Sequence, residues 1–449
     1  MNKLRQLWSN LQSSFWFLPS LMVLDSIVLA AALIAADSAG SDQWLAEWPR
    51  LFGAGPEGAR QILSTLAGSM MSVMGITFSM TLLALTLAST QYTSRILRDF
   101  MHSRITQFTL GTFAGIFAYC LIVLRTIRGG EAEFVPGLAV FFAFVMALGG
   151  VGVLIFFIHH IASSIQASSI IASVSHETIA AIDRLFPEVR GHEPEKAEDG
   201  TNEKHLTSLD DRTWYAVPAA MSGYIQSVDH DALLRLARDT RIIVRLEHGV
   251  GAFVVQNTPL ASLALTYPPD QDMIAALNGA YSISRHRTVE QDPAFGIRQI
   301  VDMALKALSP GVNDISTAVM CVDYLTAILT RLTGRQFPPS RRYEGEALRV
   351  ISIVPTFEGL LAEAFDQIRC SAEGNVAIMA RMLSAIDTIA SLTVSPCRRR
   401  ALDEQVQWIA ELADRTIEST HDRARIERRQ MHVREMLKTE TALYPGEEA

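Results

Sequence analysis

The sequence predicts an α-helical membrane protein that carries an α+β cytosolic domain. Three observations support this class. Four long apolar segments precede residue 160, charged side chains become frequent after residue 183, and short strand-like runs begin only after residue 212. The chain has 449 residues, a length that suffices for two or three domains. Hydrophobic residues make up 49% of it and indicate that one domain lies in a membrane.

Each apolar segment has the roughly 20 residues that a helix needs to cross the hydrocarbon core of a bilayer. The segments run from about 15 to 36, 62 to 90, 108 to 125 and 135 to 159. We therefore expect residues 1–160 to form a four-helix transmembrane domain in contact with the lipid bilayer. The start of the chain also resembles a cleaved signal peptide, but its apolar run is long for one and further membrane helices follow.

Basic residues in the short loops predict the orientation. Lys3 and Arg5 precede the first segment, and Arg95, Arg98 and Arg104 lie between the second and the third, whereas the other two loops are mainly acidic. Because positively charged loops stay in the cytosol, the N-terminus and the second loop are predicted to lie there. Four crossings then place everything after residue 160, including the C-terminus, in the cytosol as well.

Small and hydroxyl-bearing residues follow one face of the second segment. Their spacing alternates between three and four, which places them on one side of a helix. Such a face is typical of a tight helix–helix interface, and it could equally line a pore at the axis of an oligomer. Both alternatives stay open. With the large Leu82 as an interruption, the members are Thr65, Gly68, Ser72, Gly75, Ser79, Thr86 and Ser89.

Asp25 lies about ten residues into the first segment. A carboxylate at that depth is costly, so it indicates a functional role by default. It would need a proton or a hydroxyl partner from the second segment. The alternative is that the helix starts later and leaves Asp25 near the cytosolic interface.

Residues 161–186 continue the helical spacing with one apolar seam and predict a stalk helix. The seam needs a partner, which is either the cytosolic domain or a second copy, and we expect self-association in a homo-oligomer. Residues 187–211 are charged and contain proline and glycine, which predicts a polar linker.

Residues 212–266 predict a small β module. The run Ser222-Gly223-Tyr224-Ile225, together with residues 250–260, resembles the barrel-sandwich hybrid of biotinyl/lipoyl-like domains. Residues 205–265 contain no lysine, so carriage of a covalent cofactor is not implied and we expect no cofactor. Residues 267–449 predict a mainly helical cytosolic domain.

A polar cluster in this helical region predicts either helix caps or a ligand site. Aspartate before proline, and asparagine or aspartate after a Pro-Gly turn, are typical helix N-caps. Alternatively, two helix N-termini and two arginines converge on a small anionic ligand such as a phosphate group, although the spacing matches no P-loop or dinucleotide fingerprint. The candidate residues are Arg285, Arg287, Gln291, Asp292, Asn313 and Asp314.

Composition and motifs disfavour several functions. The net charge of −8 disfavours nucleic-acid binding, which needs a basic surface. The four cysteines stand far apart without a C-x-x-C pair, so we expect no metal site. No catalytic residues are identified, because neither a Ser-His-Asp order nor an H-E-x-x-H motif is found, and an enzyme is the least favoured class.

Two stretches resemble one protein family. The first runs from Ile76 to Arg95, and the second runs from Glu290 through Gly296 and Leu308 to Asp314. They are similar to a family of bacterial predicted membrane proteins catalogued as domain of unknown function 2254. The resemblance implies the topology above in a bacterial inner membrane, and it supplies no activity and no catalytic residues.

Two functional hypotheses follow. The first is an oligomeric channel or transport-like protein in which the second segment lines or packs at the axis. The second is a membrane-anchored sensor or scaffold whose cytosolic domain binds an anionic ligand or a protein partner.

Overall fold

The computed structural model describes residues 16–38, 55–91, 104–128, 134–164, 166–188 and 212–438, without the side chains of residues 87–91. The chain divides into two compact units, Met1–Ser169 and Ile170–Ala449. Most of the predicted linker lies outside the described residues. The same holds for Arg95 and Arg98 in the second loop and for most of the other loop charges behind the predicted orientation.

The first unit is a bundle of four described helices. Helix α3 packs against α1 and α2, and α4 contacts all three. The core of the bundle lies around α3 and includes Leu63, Phe113 and Tyr119, which are almost fully buried. Each predicted apolar segment is thus a helix. Their bounds are α1 (Phe17–Ser38), α2 (Pro56–Gln91), α3 (Arg104–Thr126) and α4 (Gly137–Ser164).

Two glycines of α3 allow α1 to approach closely. A Cβ atom at Gly111 would lie 2.6 Å from the sulfur of Met22, and one at Gly115 would lie 2.5 Å from the hydroxyl oxygen of Ser26. Small residues in a G-x-x-x-G spacing permit such contacts between membrane helices. Side chains of α1 therefore pack directly on the backbone of α3.

A buried carboxylate joins the end of α1 to the start of α4. The two carboxylate oxygens of Asp37 accept hydrogen bonds from the backbone N–H groups of Leu138 at 3.2 Å and Ala139 at 3.1 Å. An anionic group is favourable at a helix N-terminus because the first N–H groups have no partner within the helix. The hydroxyl of Tyr119 donates to the carbonyl of Ala139 at 2.8 Å, so α3 meets the same point.

The predicted stalk is a separate helix. Helix α4 ends at Ser164, and α5 spans Ala167–Leu185. The apolar seam of α5 is buried, with Ile171 and Ile182 fully covered. Ala181 packs with Val289 and Phe295 of the same unit. The seam is therefore covered by the chain's own second unit, and the expectation that it pairs with a second copy is wrong.

Two β-sheets form one part of the second unit. A five-stranded sheet has the order β1-β5-β3-β8-β7, in which β3 and β8 are parallel, and a three-stranded antiparallel sheet has the order β4-β2-β6. The strands do not stop at residue 266, because β6, β7 and β8 lie beyond it. The strands are β1 (Trp214–Pro218), β2 (Gly223–Val228), β3 (Ile243–Leu246), β4 (Phe253–Val254), β5 (Pro259–Ala264), β6 (Tyr281–Ser284), β7 (Arg341–Glu344) and β8 (Ala347–Ile351).

The remaining helices of the second unit are of two kinds. Two short amphipathic helices, α6 (His230–Asp239) and α7 (Gln271–Gly279), help to cover the sheets. Longer helices pack on one another, with α9 against α8, α10 and α11, and α13 against α11 and α12. The longer helices are α8 (Pro293–Leu308), α9 (Ile315–Thr333), α10 (Phe357–Ser371), α11 (Val376–Ser391), α12 (Pro396–Thr416) and α13 (Thr420–Lys438).

Five described helices are long and apolar enough to cross a membrane by length and composition. They are α1, the part of α2 from Pro56 to Thr86, α3, α4 and α9. The first four coincide with the predicted segments. The fifth, α9, was not among the predicted spans, and it buries Cys321, Leu325 and Leu329 within the second unit.

Candidate functional site

The small-residue face of α2 is exposed along its described length. A Cβ atom added at Gly68 or at Gly75 would meet nothing within 4 Å. The hydroxyl of Ser72 donates to the carbonyl of Gly68 at 3.0 Å, and that of Thr86 donates to Leu82 at 2.9 Å. The side chain of Ser89 lies outside the described residues. The exposed members are Thr65, Gly68, Ser72, Gly75, Ser79 and Thr86, and we call this set the stripe.

The opposite side of α2 makes the contacts within the bundle. Ala59, Leu63, Ala67 and Met70 are buried there, and Ala84 continues the same face. Helix α2 thus packs on α3 and α4 through alanine and larger apolar residues. No described helix of the same protomer packs on the stripe.

Asp25 lies well inside α1. The described helix begins at Phe17, so Asp25 is its ninth residue. Its side chain is exposed on the surface of the bundle. It lines a cavity of about 310 Å³ formed by α1, α3 and α4.

Asp292 caps α8 and forms a buried ion pair with Arg287. One carboxylate oxygen accepts from the N–H of Phe295 at 3.1 Å, and the other accepts from Nε of Arg287 at 2.8 Å. The guanidinium also lies over the ring of Phe295, 5.0 Å from its centroid. Burial raises the pKa of Asp292, while the charge and the hydrogen bond of Arg287 act in the opposite direction.

The turn before β4 is closed over this ion pair. Gly251 has φ +87°, in the left-handed region that side chains disfavour. A Cβ atom there would overlap the Asp292 carboxylate and lie 2.8 Å from a guanidinium nitrogen of Arg287. Backbone therefore covers this side of the pair, and Arg287 directs its Nε and one terminal nitrogen to Asp292.

The predicted anion site is not assembled. Asp292 lies at the N-terminus of α8, whereas the N–H of Asp314 donates to Ala307 near its C-terminus. Sixteen helical residues at 1.5 Å each separate these two points by about 24 Å. Asp314 caps α9 by accepting from Thr317, and Arg285, Asn313 and Asp314 are exposed. The two helix N-termini do not converge, because α8 and α9 are joined end to end by a tight turn.

Gln291 belongs to a different site, a polar pocket of about 510 Å³. Its side-chain oxygen accepts from the N–H of Val228 at 3.1 Å. Asp229, His230 and Asp231, at the start of α6, also line the pocket. Burial lowers the pKa of His230, and its buried Nδ1 has no hydrogen-bond partner among the described residues. Asp229 and His230 were not predicted from the sequence, where the available signal was a capping aspartate before a histidine at the start of a helix.

Ion pairs fasten the end of α5 to α9 and to the segment after it. Asp183 accepts from Nε of Arg331 and from a terminal nitrogen of Arg335, each at 2.6 Å. Arg335 is buried and also donates to the carbonyl of Phe186 at 3.1 Å. The hydrogen bond from Arg331, with the positive charges of both arginines, lowers the pKa of Asp183.

We expect this cluster to make the second unit sensitive to acid. A carboxylate whose pKa is lowered by folding stabilises the fold above its ordinary pKa of 3.8, and this stabilisation is lost as the pH falls through the folded value. The Asp183→Asn variant should lose less thermal stability than wild type between pH 6 and pH 3. A melting temperature that falls equally in both proteins would contradict the assignment.

Metal ligation has no support in the described part of the chain. Among those residues, no group of three or more His, Cys, Asp or Glu side chains could hold a metal ion. Cys120 and Cys321 are buried, whereas Cys370 and Cys397 are exposed.

Comparison with known proteins gives a family and relatives. Uncharacterized proteins of Mycobacterium bovis and Mycobacterium tuberculosis are 31% identical to this chain over 439 residues, covering 95% of this chain and 81% of each relative. No solved structure matches the chain. The profile of the family described as "Predicted membrane protein (DUF2254)" matches residues 12–388, which confirms the resemblance seen in the sequence. The chain belongs to this family of predicted membrane proteins.

Proposed function

We propose that the protein is an oligomeric channel or transport-like protein in which the stripe on α2 faces the symmetry axis. The exposure of the stripe carries this proposal. Ser72, Ser79 and Thr86 would offer hydroxyl oxygens to a permeating ion or water, and the glycines would leave room for it. Leu82 would form an apolar constriction between Ser79 and Thr86.

The residues beside the stripe support an assembly around it. Met71, Ile76, Phe78 and Leu83 on α2 are exposed and large. Apolar surfaces of this kind suit contact with lipid or with a neighbouring protomer. The hydroxyls of Ser72 and Thr86 donate their protons within α2, and a hydroxyl oxygen also has lone pairs that can accept from water or contact an ion at an axis.

We assign four of the five apolar helices to the membrane and α9 to the cytosolic unit. Helix α9 packs against three other helices, and its Asp323 pairs with Arg381 while its Arg331 pairs with Asp183. Such pairs suit a soluble core. The four spans then give a bacterial inner-membrane protein with both termini in the cytosol, in line with the basic residues of the N-terminus and second loop.

The orientation can be tested with reporter fusions. We expect a fluorescent protein fused after residue 449 to be bright, and alkaline phosphatase at the same position to be inactive, because phosphatase needs the oxidising side of the membrane. A phosphatase fused in the first loop, near residue 45, should be active. Activity in the reverse pattern would contradict four spans with cytosolic termini.

The Ser79→Leu substitution should change ion flux. In liposomes that contain the purified protein, we expect flux above that of empty liposomes. We expect Ser79→Leu to lower this flux at least tenfold, because the added leucine lengthens the apolar constriction at Leu82. Ser69→Leu is the matched control, since Ser69 is exposed on α2 but is not part of the stripe. Absence of flux in wild type, or equal loss in both variants, would contradict a pore at the stripe.

The polar pocket beside α6 favours a second candidate function, a membrane-anchored sensor. Its described lining contains Asp229, Asp231 and the unpartnered Nδ1 of His230. This lining suits a polar ligand that donates hydrogen bonds better than it suits the anion expected from the sequence.

A further inference from the structure

We propose that a groove in the membrane unit binds a small amphiphilic organic cation through Asp25. The groove is the cavity of about 310 Å³ between α1, α3 and α4. Apart from Asp25 it is lined mainly by apolar side chains and glycine, including Leu29, Phe108, Ile116 and Gly149. It is not part of the stripe, so this proposal does not rest on the proposed pore.

The depth of Asp25 makes its surroundings unusual. Eight residues at 1.5 Å each place it about 12 Å along α1 from Phe17. We place Phe17 at the cytosolic boundary of a hydrocarbon core about 30 Å thick, which puts this carboxyl group below the level of the lipid headgroups. An acidic side chain at such depth is costly unless a partner compensates it.

The walls of the groove supply no such partner. Ser26 and Thr112 carry the hydroxyl groups of the lining, and each hydroxyl has a single proton to donate. Ser26 donates its proton to the carbonyl of Met22, and Thr112 donates to that of Phe108, both at 2.9 Å. No described residue forms a hydrogen bond or an ion pair with Asp25. The carboxyl group therefore faces the groove without a donor.

Among the residues that the structure describes, a second copy of the chain offers no cationic side chain at this depth. In the described helices of the membrane unit the basic residues lie near helix ends. Arg60 is the fifth residue of α2, Arg104 is the first of α3, and Arg125 is next to the last of α3. His159 and His160 lie close to the end of α4. Within the described part of the chain no side chain brings a positive charge to Asp25, and an organic cation that enters the groove would supply one.

The shape of the groove indicates the class of ligand. Its volume lies at the lower end of the range of about 300–1,000 Å³ for small-molecule pockets. The apolar walls suit a compact hydrocarbon body, and the exposed ring of Phe108 adds a face that attracts cations. Asp25 then accepts hydrogen bonds from an ammonium head. The matching ligand is a small primary amine with one aromatic or alkyl body.

Binding of 4-phenylbutylammonium to the full-length protein in lipid nanodiscs tests the proposal. We expect saturable binding of the radiolabelled amine, displaced by unlabelled amine but not by 4-phenylbutanol, which has the same body without the charge. Asp25→Asn should weaken binding at least tenfold, while Asp25→Glu should retain it within a few-fold. Equal binding by wild type and Asp25→Asn, or equal displacement by the alcohol, would overturn the proposal.

Two glycines of α4 provide a matched pair of variants for testing the groove. A Cβ atom at Gly149 or at Gly152 would meet nothing within 4 Å, but only Gly149 lines the groove. Gly149→Leu should therefore fill the groove and abolish amine binding, whereas Gly152→Leu should bind like wild type. Equal loss in both variants, or a change of oligomer mass with Gly149→Leu while amine binding persists, would show that lipid or a second copy covers the groove and would overturn the proposal.

Discussion

Replacing Asp292 by alanine is expected to lower the free energy of unfolding of the second unit by about 3–5 kcal/mol. The carboxylate is 5% exposed and its partner Arg287 is 25% exposed. Removal of one member leaves the guanidinium under the turn at Gly251 without a counter-charge. The substitution also removes the acceptor for the first N–H groups of α8. Chemical unfolding of the full-length protein in nanodiscs, followed by tryptophan fluorescence, measures the loss.

Asp314→Ala is the matched control for this prediction. Asp314 caps α9 with the same geometry, accepting from the N–H of Thr317 at 3.0 Å, but it is exposed and has no buried arginine beside it. Loss of a cap alone costs about 1 kcal/mol. Similar losses for both variants would show that the ion pair adds nothing. The double variant Arg287→Met with Asp292→Asn should recover much of the stability, because it leaves no unpaired charge.

Replacing Gly296 by alanine is expected to destabilise the contact between α5 and α8 by about 1–3 kcal/mol. The added Cβ would overlap the hydroxyl oxygen of Thr178 and lie 3.0 Å from its Cβ and Cγ2 atoms. Thr178 is fully buried and its hydroxyl donates to Val174 at 2.6 Å, so it cannot turn away without losing that bond. The helices must move apart, which opens the packing around Ala181.

Gly279→Ala separates this effect from a general effect of glycine replacement. Gly279 ends α7, and a Cβ there would meet nothing within 4 Å. Alanine favours a helix by up to about 1 kcal/mol over glycine, so this variant should be at least as stable as wild type. The same unfolding measurement applies to both. A Gly296→Ala protein as stable as Gly279→Ala would contradict the close packing of α5 on α8.

Features with a short-range cause were predictable from the sequence. The four apolar helices follow from segment length, and the stripe follows from the alternation of three and four along α2. The caps at Asp292 and Asp314 follow from the residues beside them. Each of these depends on neighbours within one or two helical turns, so the pattern is visible in the chain itself.

Features that join distant residues were not predictable. The prediction that Arg285, Arg287 and Asn313 converge was wrong, because the two arginines lie near one end of α8 and Asn313 lies near the other. The seam of α5 is covered by the second unit rather than by a second copy, and the sheets recruit strands as far as Ile351.

By itself the sequence determined that four long apolar helices precede an α+β region, and that one of them carries a stripe of small residues. Only the tertiary structure decided that the stripe is left exposed, that Arg287 forms an ion pair with Asp292, and that Asp25 faces a groove with no hydrogen-bond donor among the described residues. The physical reason is that helical periodicity predicts which residues share a face but not which face is covered. Burial depends on segments that can lie a hundred residues away, as in the hydrogen bond from the N–H of Ala139 to the carboxylate of Asp37.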